Sequence, residues 1–392
     1  MKICLFSFYF QPDLCAGSFR NTALVESLKK RLNSGDEIHV VTTLPNRYAS
    51  FSVEAPEYEE WDDQIRIHRI KMPAHKSGFL DQINSFKAYY REARRITKPN
   101  EYDLVFASSS RLFTAYLGAR VASEKGVPLY LDMRDLFREN MEEIIKNPLV
   151  RTPVVTLLKR IENYTFRKAD RINIVSEGFR PFFSTFGKPI TFFPNGIDDV
   201  FLENNFEKSS AANKIVTYAG NIGDGQGLHK VIPELARKTK ESGFKFRIIG
   251  DGGARQELER ALSEVNSDNV ELLNPVGRKE LLEYYRETDI LFLHLNDYKA
   301  FEKVLPSKIF EYAATGKPVV AGVGGYSATF LKEHVEGAHV FNPCDAEGIA
   351  HLLNSDALSV QKYDRSAFVK KFSRKNIMDD MAGDILNAFR GE

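Results

Sequence analysis

The chain has 392 residues, with 54 Lys and Arg against 53 Asp and Glu and a formal net charge of +1. That balance removes the global field a nucleic-acid binder would carry. A composition of 43% hydrophobic and 27% charged residues is that of a globular protein with ordinary cores. The length calls for two or three domains. No stretch approaches the roughly 20 apolar residues of a membrane helix. The opening residues, MKICLFSFYFQPD, read as a first core strand, since they carry one Lys and no small-residue cleavage site. Cys4, Cys15 and Cys344 form no CxxC, and the eight His residues form no HxxxH pair. The expectation is a reducing, cytoplasmic setting with neither disulfides nor a protein-built metal site.

Taken in order, the first half alternates strand and helix patterns. Strands are expected at 3–10, 37–42, 65–72, 102–107, 128–133, 171–175 and 190–193. Helices are expected at 18–32, 78–97, 112–123 and 148–168. The pattern breaks after the turn signal Asn195-Gly196, in a polar stretch over 204–213. It restarts with strands at 214–219, 245–249, 270–273, 289–295, 319–323 and 338–341. Helices intervene at 227–241, 254–262, 279–287, about 306–315 and 347–353. A last amphipathic helix at 373–389 puts Ile377, Met381, Ile385 and Leu386 on one side. Such alternation predicts two doubly wound parallel sheets with helices on both faces. The domains are therefore drawn as 1–200, 201–372 and a closing helix, 373–392.

Ligands of open parallel sheets bind beyond the carboxyl ends of the strands. The polar, glycine-bearing loops lie there: QPDLCAGS at 11–18, NIGDGQG at 221–227 and GDGG at 250–253. Gly220, Gly223, Gly225 and Gly227 allow close backbone approach to a phosphate, although the spacing is not that of a dinucleotide GxGxxG. Arg134-Asp135 closes a buried strand, where a charged pair sits either at a cleft or in a strand-end ion pair. The run FEKVLPSKIFEYAATGKPVV at 301–320 follows a strand and opens a helix at Pro306-Ser307. Lys308 in its first turn can reach a phosphate, and Glu311 one turn on can accept hydrogen bonds from a ribose diol.

Together, TYAGNIG at 217–223, IIGDGG at 248–253, FPNGID at 193–198 and PSKIFEYAATGKPVV at 306–320 resemble glycosyltransferase family 4. The loop at 8–17 and LDMRDLF at 131–137 are similar to those of bacterial surface-polysaccharide members that transfer an amino sugar such as N-acetylfucosamine. The resemblance spans essentially the whole chain. It implies a GT-B fold, two Rossmann-like domains facing a cleft, with the closing helix crossing back to the N-terminal domain. It also implies a UDP-sugar donor on the C-terminal domain, transfer with retention, and no cofactor or metal. Glu311 matches the second carboxylate of the family's glutamate pair. The first falls at Lys303, and the usual Arg and Lys of the phosphate loop fall at Asn221 and Gln226, so three charged positions differ.

The site expected on this resemblance has Lys308, Glu311 and Asp135 as its catalytic group. Donor contacts are expected from Gly17, Ser18, Gly220, Asn221, Gly223, Gln226, Gly252, Val276, Arg278, Lys303, Pro306 and Ser307. Gly17 and Ser18 would close on the phosphates, Lys308 would stabilise the leaving diphosphate, and Arg278 would stack on the base. A lipid-linked (undecaprenyl diphosphate) saccharide acceptor is expected, at the cytoplasmic face of the inner membrane, in O-antigen, lipopolysaccharide or capsule synthesis. Two basic stretches suit a membrane surface: the 78–97 helix with Lys87, Arg91, Arg94, Arg95, Lys98 and the aromatics Phe86, Tyr89 and Tyr90, and the stretch 149–168. For the second, a core stripe of Val155, Leu158 and Ile161 is an equal reading. The rival functions are a UDP-sugar 2-epimerase on the same fold and a non-catalytic nucleotide-sugar-binding protein.

Overall fold

The computed structural model describes residues 1–46, 54–72, 79–109, 112–206, 214–355, 358 and 361–390. The expected helix start at Gly78 and the polar residues 207–213 lie outside the described residues. The chain divides into two compact units, one built from the stretches before Gly196 and after Ser373, the other from 196–373.

In the first unit the strands are β1 (Lys2–Ser7), β2 (Glu37–Thr43), β3 (Tyr58–Trp61), β4 (Ile65–Ile70), β5 (Leu104–Ser109), β6 (Leu129–Met133), β7 (Arg171–Ile174) and β8 (Ile190–Phe192). The helices are α1 (Ala16–Lys29), α2 (Phe79–Thr97), α3 (Leu112–Lys125), α4 (Phe137–Ile144), α5 (Pro148–Lys168) and α6 (Arg180–Ser184). The sheet order is β3-β4-β2-β1-β5-β6-β7-β8. Every pairing is parallel except β3 with β4. The central strands are buried on both faces, as continuous apolar runs such as ICLF predict. Strand β3, YEEW, is the departure from the all-parallel expectation. Its side chains alternate between exposed and half-buried, so it lacks a buried run and pairs antiparallel with β4 at the edge. The apolar run at 3–10 overshoots β1, and Phe8, Tyr9 and Phe10 are buried beyond the strand's end.

The second unit has α7 (Asp199–Leu202), α8 (Leu228–Thr239), α9 (Arg255–Glu264), α10 (Arg278–Glu287), α11 (Lys308–Ala314), α12 (Gly325–His334), α13 (Ala346–Leu353) and α14 (Ser366–Lys371). These surround β9 (Lys214–Ala219), β10 (Phe244–Ile249), β11 (Val270–Leu273), β12 (Ile290–His294), β13 (Val319–Gly322) and β14 (Ala338–Phe341). The sheet is wholly parallel in the order β11-β10-β9-β12-β13-β14. The order reverses between β9 and β12, and that is the switch point where such sheets open to ligands. The two strands pair only at Ile290↔Val216 and Leu291↔Thr217. Beyond them, the Ala219 N–H donates to the Tyr312 hydroxyl at 3.2 Å instead of to the neighbouring strand. The gap therefore widens towards the carboxyl ends.

The chain then returns to the first unit as α15 (Arg374–Phe389). Ile377, Met381, Ile385 and Leu386 are buried, as the period of the sequence requires. Asp384 pairs with Arg171 and accepts from the Tyr130 hydroxyl at 3.3 Å.

Candidate active site

In the second unit the glycine loops after β9 and β10 lie against each other, backbone on backbone. Gly220 N–H donates to Ile249 O at 2.8 Å, Ile222 N–H to Asp251 O at 2.9 Å and Ala254 N–H to Ile222 O at 2.9 Å. Gly250 has φ +153°, and a Cβ there would stand 1.8 Å from the Gly220 carbonyl oxygen. Gly252, at φ +157°, would meet the Ile222 carbonyl at 2.5 Å. These glycines are required by the contact between the two loops, a role that spacing alone did not reveal.

Lys308 leaves the start of α11 and brings its ammonium to Gly220, where an added Cβ would lie 2.1 Å from Nζ. The Tyr218 ring lies beneath, 5.4 Å from Nζ to its centre. The sequence-predicted Lys308 and Gly220 are thus brought together at the switch point. Ser307 does not cap the helix: its backbone is helical (φ −59°, ψ −27°) and its hydroxyl makes no cap bond. The carbonyls of Pro306 and Ser307 accept from Ile309 and Phe310 at 3.1 Å each, closing the turn. Glu311 is half-buried in that turn. Burial raises the hydroxyl pKa of Tyr312 and Tyr285 well above the ordinary range, and the Glu311 charge adds to it. Lys303 ends the 3-10 turn Lys299–Lys303. Beside that turn a concavity of about 390 Å³ opens at the ends of β12, β13 and β14, lined by Asn296, Tyr298, Phe301, Glu302 and Asn342.

Asn221 and Gln226, where the resemblance leads one to expect cations, satisfy each other. Asn221 Nδ2 donates to Gln226 Oε1 at 2.7 Å, and Gly223 N–H donates to the same oxygen at 3.2 Å. The loop is closed by neutral amides, and Lys308 is the cation that reaches Gly220. His294 was not singled out from sequence, yet it ties this loop down. Its Nδ1 lies 2.6 Å from the Gln226 carbonyl, and its Nε2 accepts from the Cys344 N–H at 2.9 Å. This pair of bonds selects the neutral tautomer with the proton on Nδ1. Burial then depresses the imidazole to about 4.

Arg278 does not stand open for a base. It pairs with Asp198, and its guanidinium lies 5.3 Å from the centre of the Phe201 ring. Its charge holds the 195–198 loop, whose acidic end lies 80 positions away and gave no local signal. Val276 is half-buried in the turn just before α10.

In the first unit, Ser18, expected at the phosphates, is fully buried. It falls on the inner face of α1 with Asn21, Leu24 and Val25. Gly17 is buried as well, because Arg134 covers it: a Cβ on Gly17 would lie 2.2 Å from Arg134 Nη1. Arg134 Nε and Nη1 are buried and have no hydrogen-bond partner among the described residues. Burial pushes this guanidinium down while Asp132 supports its charge. A cation over the first turn of α1 is a setting that accepts an anionic group. Asp135 is half-buried next to it.

The residues at this strand end that sequence reasoning missed are Arg20 and Asp132, both fully buried. Arg20 Nε and Nη2 donate to the two Asp132 oxygens at 2.9 Å each, and Arg20 Nη1 donates to the Pro194 carbonyl at 2.6 Å. Asn173 and Ser108 complete the carboxylate's shell at 2.7 and 3.1 Å. Burial alone would raise this carboxyl, and Arg20, with the Arg134 charge and the Asn173 hydrogen bond, more than offsets it, so the group lies below the usual carboxylate range.

Among the described residues no group of three or more His, Cys, Asp or Glu is arranged to hold a metal ion, and no helix is long and apolar enough to cross a membrane. Residues 21–196 match the family Glycosyl transferase 4-like domain, and residues 202–366 match Glycosyl transferases group 1. Over 114 residues the chain is 31% identical to WcaI of Escherichia coli (strain K12), assigned as a colanic acid biosynthesis glycosyl transferase. That alignment takes in 29% of this chain and 28% of WcaI. Among solved structures, Anabaena Alr3699/HepE in complex with UDP-glucose superposes with a TM-score of 0.69 at 16% identity, over 99% of this chain and 100% of that one. WaaG, a glycosyltransferase involved in lipopolysaccharide biosynthesis, gives 0.66 at 14% identity over 100% of both chains. Identities of that size speak for the fold, and the fold is GT-B. With both halves of the chain matched in order, the protein belongs to the group 1, family 4-like glycosyltransferases.

Proposed function

We propose that the protein transfers a sugar from a UDP-sugar to a lipid-linked saccharide in the synthesis of a surface polysaccharide. The observation that carries this reading is the Lys308 ammonium held against Gly220 at the switch point of the second sheet. A leaving diphosphate there would find the Lys308 ammonium and glycine-loop backbone N–H groups. The UDP-glucose held by HepE and the pathway assigned to WcaI support the choice of donor and product class.

The bond between the anomeric carbon and the β-phosphate oxygen breaks, and a bond to the acceptor hydroxyl oxygen forms on the same face. The acceptor's proton passes to the departing phosphate oxygen, so no enzyme nucleophile, metal or resident cofactor is needed. Glu311 holds the ribose diol, and Arg134 with Asp135 serves the sugar or acceptor side. An N-acetylated amino or deoxyamino sugar, of the N-acetylfucosamine type, is the proposed cargo on the resemblance of LDMRDLF. The protein would work as a peripheral protein on the cytoplasmic membrane face.

A non-catalytic nucleotide-sugar-binding role is the second reading, favoured by the neutral Asn221–Gln226 pair. Thermal unfolding with UDP, GDP, ADP and NAD, each with and without EDTA, tests the first step. Ligand at 100 times Kd adds about 2.7 kcal/mol. UDP alone should raise Tm, EDTA should leave the shift intact, and Glu311→Ala should remove it. A response to NAD and none to UDP would refute the proposal. Release of UDP only when acceptor is added separates the transferase from the binding protein, and epimer formed without acceptor identifies a 2-epimerase.

A further inference from the structure

Two helices of the first unit carry clustered basic residues, and their side chains face different ways. On α2 the aromatics Phe86, Tyr89 and Tyr90 are turned inward. Tyr89 is fully buried with its hydroxyl on the Val41 carbonyl at 2.7 Å, Phe86 packs on Phe113 with ring centres 4.9 Å apart, and Tyr90 stacks on Tyr116. Arg94 is held by both Glu124 oxygens at 2.8 Å, and Arg95 by Glu92. From Asn84 onward, where its side chains are described, helix α2 is therefore a solvated face over a core stripe.

Helix α5 is built the other way round. Leu158, Glu162, Thr165 and Phe166 are its buried face. Leu149 is 86% exposed, Val150 49% and Leu157 58%, and Ile144 at the end of α4 is 51% exposed. Leu149, Pro153 and Leu157 recur at i, i+4 and i+8, with Val150, Arg160 and Lys168 on the same side of the wheel. Between 148 and 168 the chain carries five basic residues, Arg151, Lys159, Arg160, Arg167 and Lys168, against one acidic residue, Glu162. Glu162 is buried and bound to Arg138 at 2.6 Å, so it takes nothing from the outer charge. A chain of net charge +1 thus concentrates its excess on one helix whose outward stripe is aliphatic.

We propose that the outward face of α5, with Ile144, docks on an anionic lipid bilayer. Aliphatic side chains with no polar tip enter the acyl boundary, and long Lys and Arg stems reach the head-group phosphates around them. Protein interfaces are depleted in Lys, and the exposed side of α5 carries Lys159 and Lys168 beside Arg160 and Arg167, so a lipid surface matches its chemistry better than a partner protein. The proposal gives the peripheral membrane contact a location, and it can fail while the transferase reading stands, because vesicle binding is read without donor or acceptor.

The test is co-sedimentation of the full chain with vesicles of phosphatidylcholine alone and of phosphatidylcholine with phosphatidylglycerol. Binding to the second and not the first, weakened by salt, is expected. Arg160→Ser with Lys168→Ser should weaken it about 25-fold, since each basic residue near an anionic surface is worth about five-fold. Leu149→Asp with Leu157→Asp should weaken it at least as much, with the UDP-induced Tm shift and far-UV circular dichroism unchanged. No binding to the anionic vesicles, or binding indifferent to both double substitutions, overturns the proposal. So does a wild-type dimer in sedimentation velocity that Leu149→Asp with Leu157→Asp makes monomeric, which would assign the stripe to a second copy.

Discussion

The buried pair Arg20–Asp132 offers a sharp test of how the first unit is held together. Asp132 has four side-chain donors, two of them from Arg20, and neither residue of the pair touches solvent. Arg20→Met keeps much of the side-chain volume but removes two of those donors and strands a buried carboxylate. It also leaves the Pro194 carbonyl without the guanidinium that meets it at 2.6 Å. Breaking one side of a buried ion pair costs about 3–5 kcal/mol, and about 4 kcal/mol is expected here. Asp132→Leu alone should cost a similar amount by leaving Arg20 uncompensated. The double variant should lose about 5 kcal/mol where additivity would give about 8, a coupling of about 3 kcal/mol, because no charge is left buried without its partner. Trp61 is the only tryptophan and lies on β3 of this unit, so its fluorescence in a urea titration reports this unit. A cost under about 1 kcal/mol for Arg20→Met, or a double variant whose loss is simply additive, would refute the reasoning.

Other predictions concern the second unit. Gly250→Ala must push its Cβ into the Gly220 carbonyl at a positive φ, so a loss of about 3 kcal/mol and a much weaker UDP shift are expected. Gly253→Ala, with nothing within 4 Å of its Cβ, should change stability by less than about 0.5 kcal/mol in the same denaturation assay. Lys308→Met should raise the Kd for UDP by ten-fold or more in calorimetry while sparing the fold, since the ammonium lies over Gly220 and Tyr218 at the surface of the loop. His294 is neutral in the fold and depressed from 6.5 to about 4. The unfolded chain takes up its proton first, so stability is complete above pH 6.5 and falls as pH drops towards 4, by at most about 3 kcal/mol. His39, depressed to about 4 mainly by burial, adds in the same direction. His294→Gln should flatten part of that slope in Tm measured from pH 7 to 4.5, and an unchanged slope would remove His294 from the account.

Sequence periodicity by itself determined two largely parallel sheets, the chain order of their longer strands and helices, and the buried side of α15, while the helices α4, α6, α7, α12 and α14 left no recognised pattern. A strand buried on both faces must read as an apolar run, and a helix packed on one side must repeat its apolar residues every three to four positions. The glycine loops and Lys308 were also legible, because the carboxyl ends of strands are where such sheets leave room for ligands. Tertiary structure decided what depends on partners far along the chain. Arg20 meets Asp132 across 112 positions, and Arg278 meets Asp198 across 80, so neither pairing has a local pattern. Ser18 looks like a loop hydroxyl in sequence, but the turn of α1 places it inside. The reversed edge strand β3 has too few apolar residues to declare itself. Helices α2 and α5 share a basic, apolar composition, and only the neighbours they pack against determine which one keeps its apolar residues for the core and which presents them to solvent.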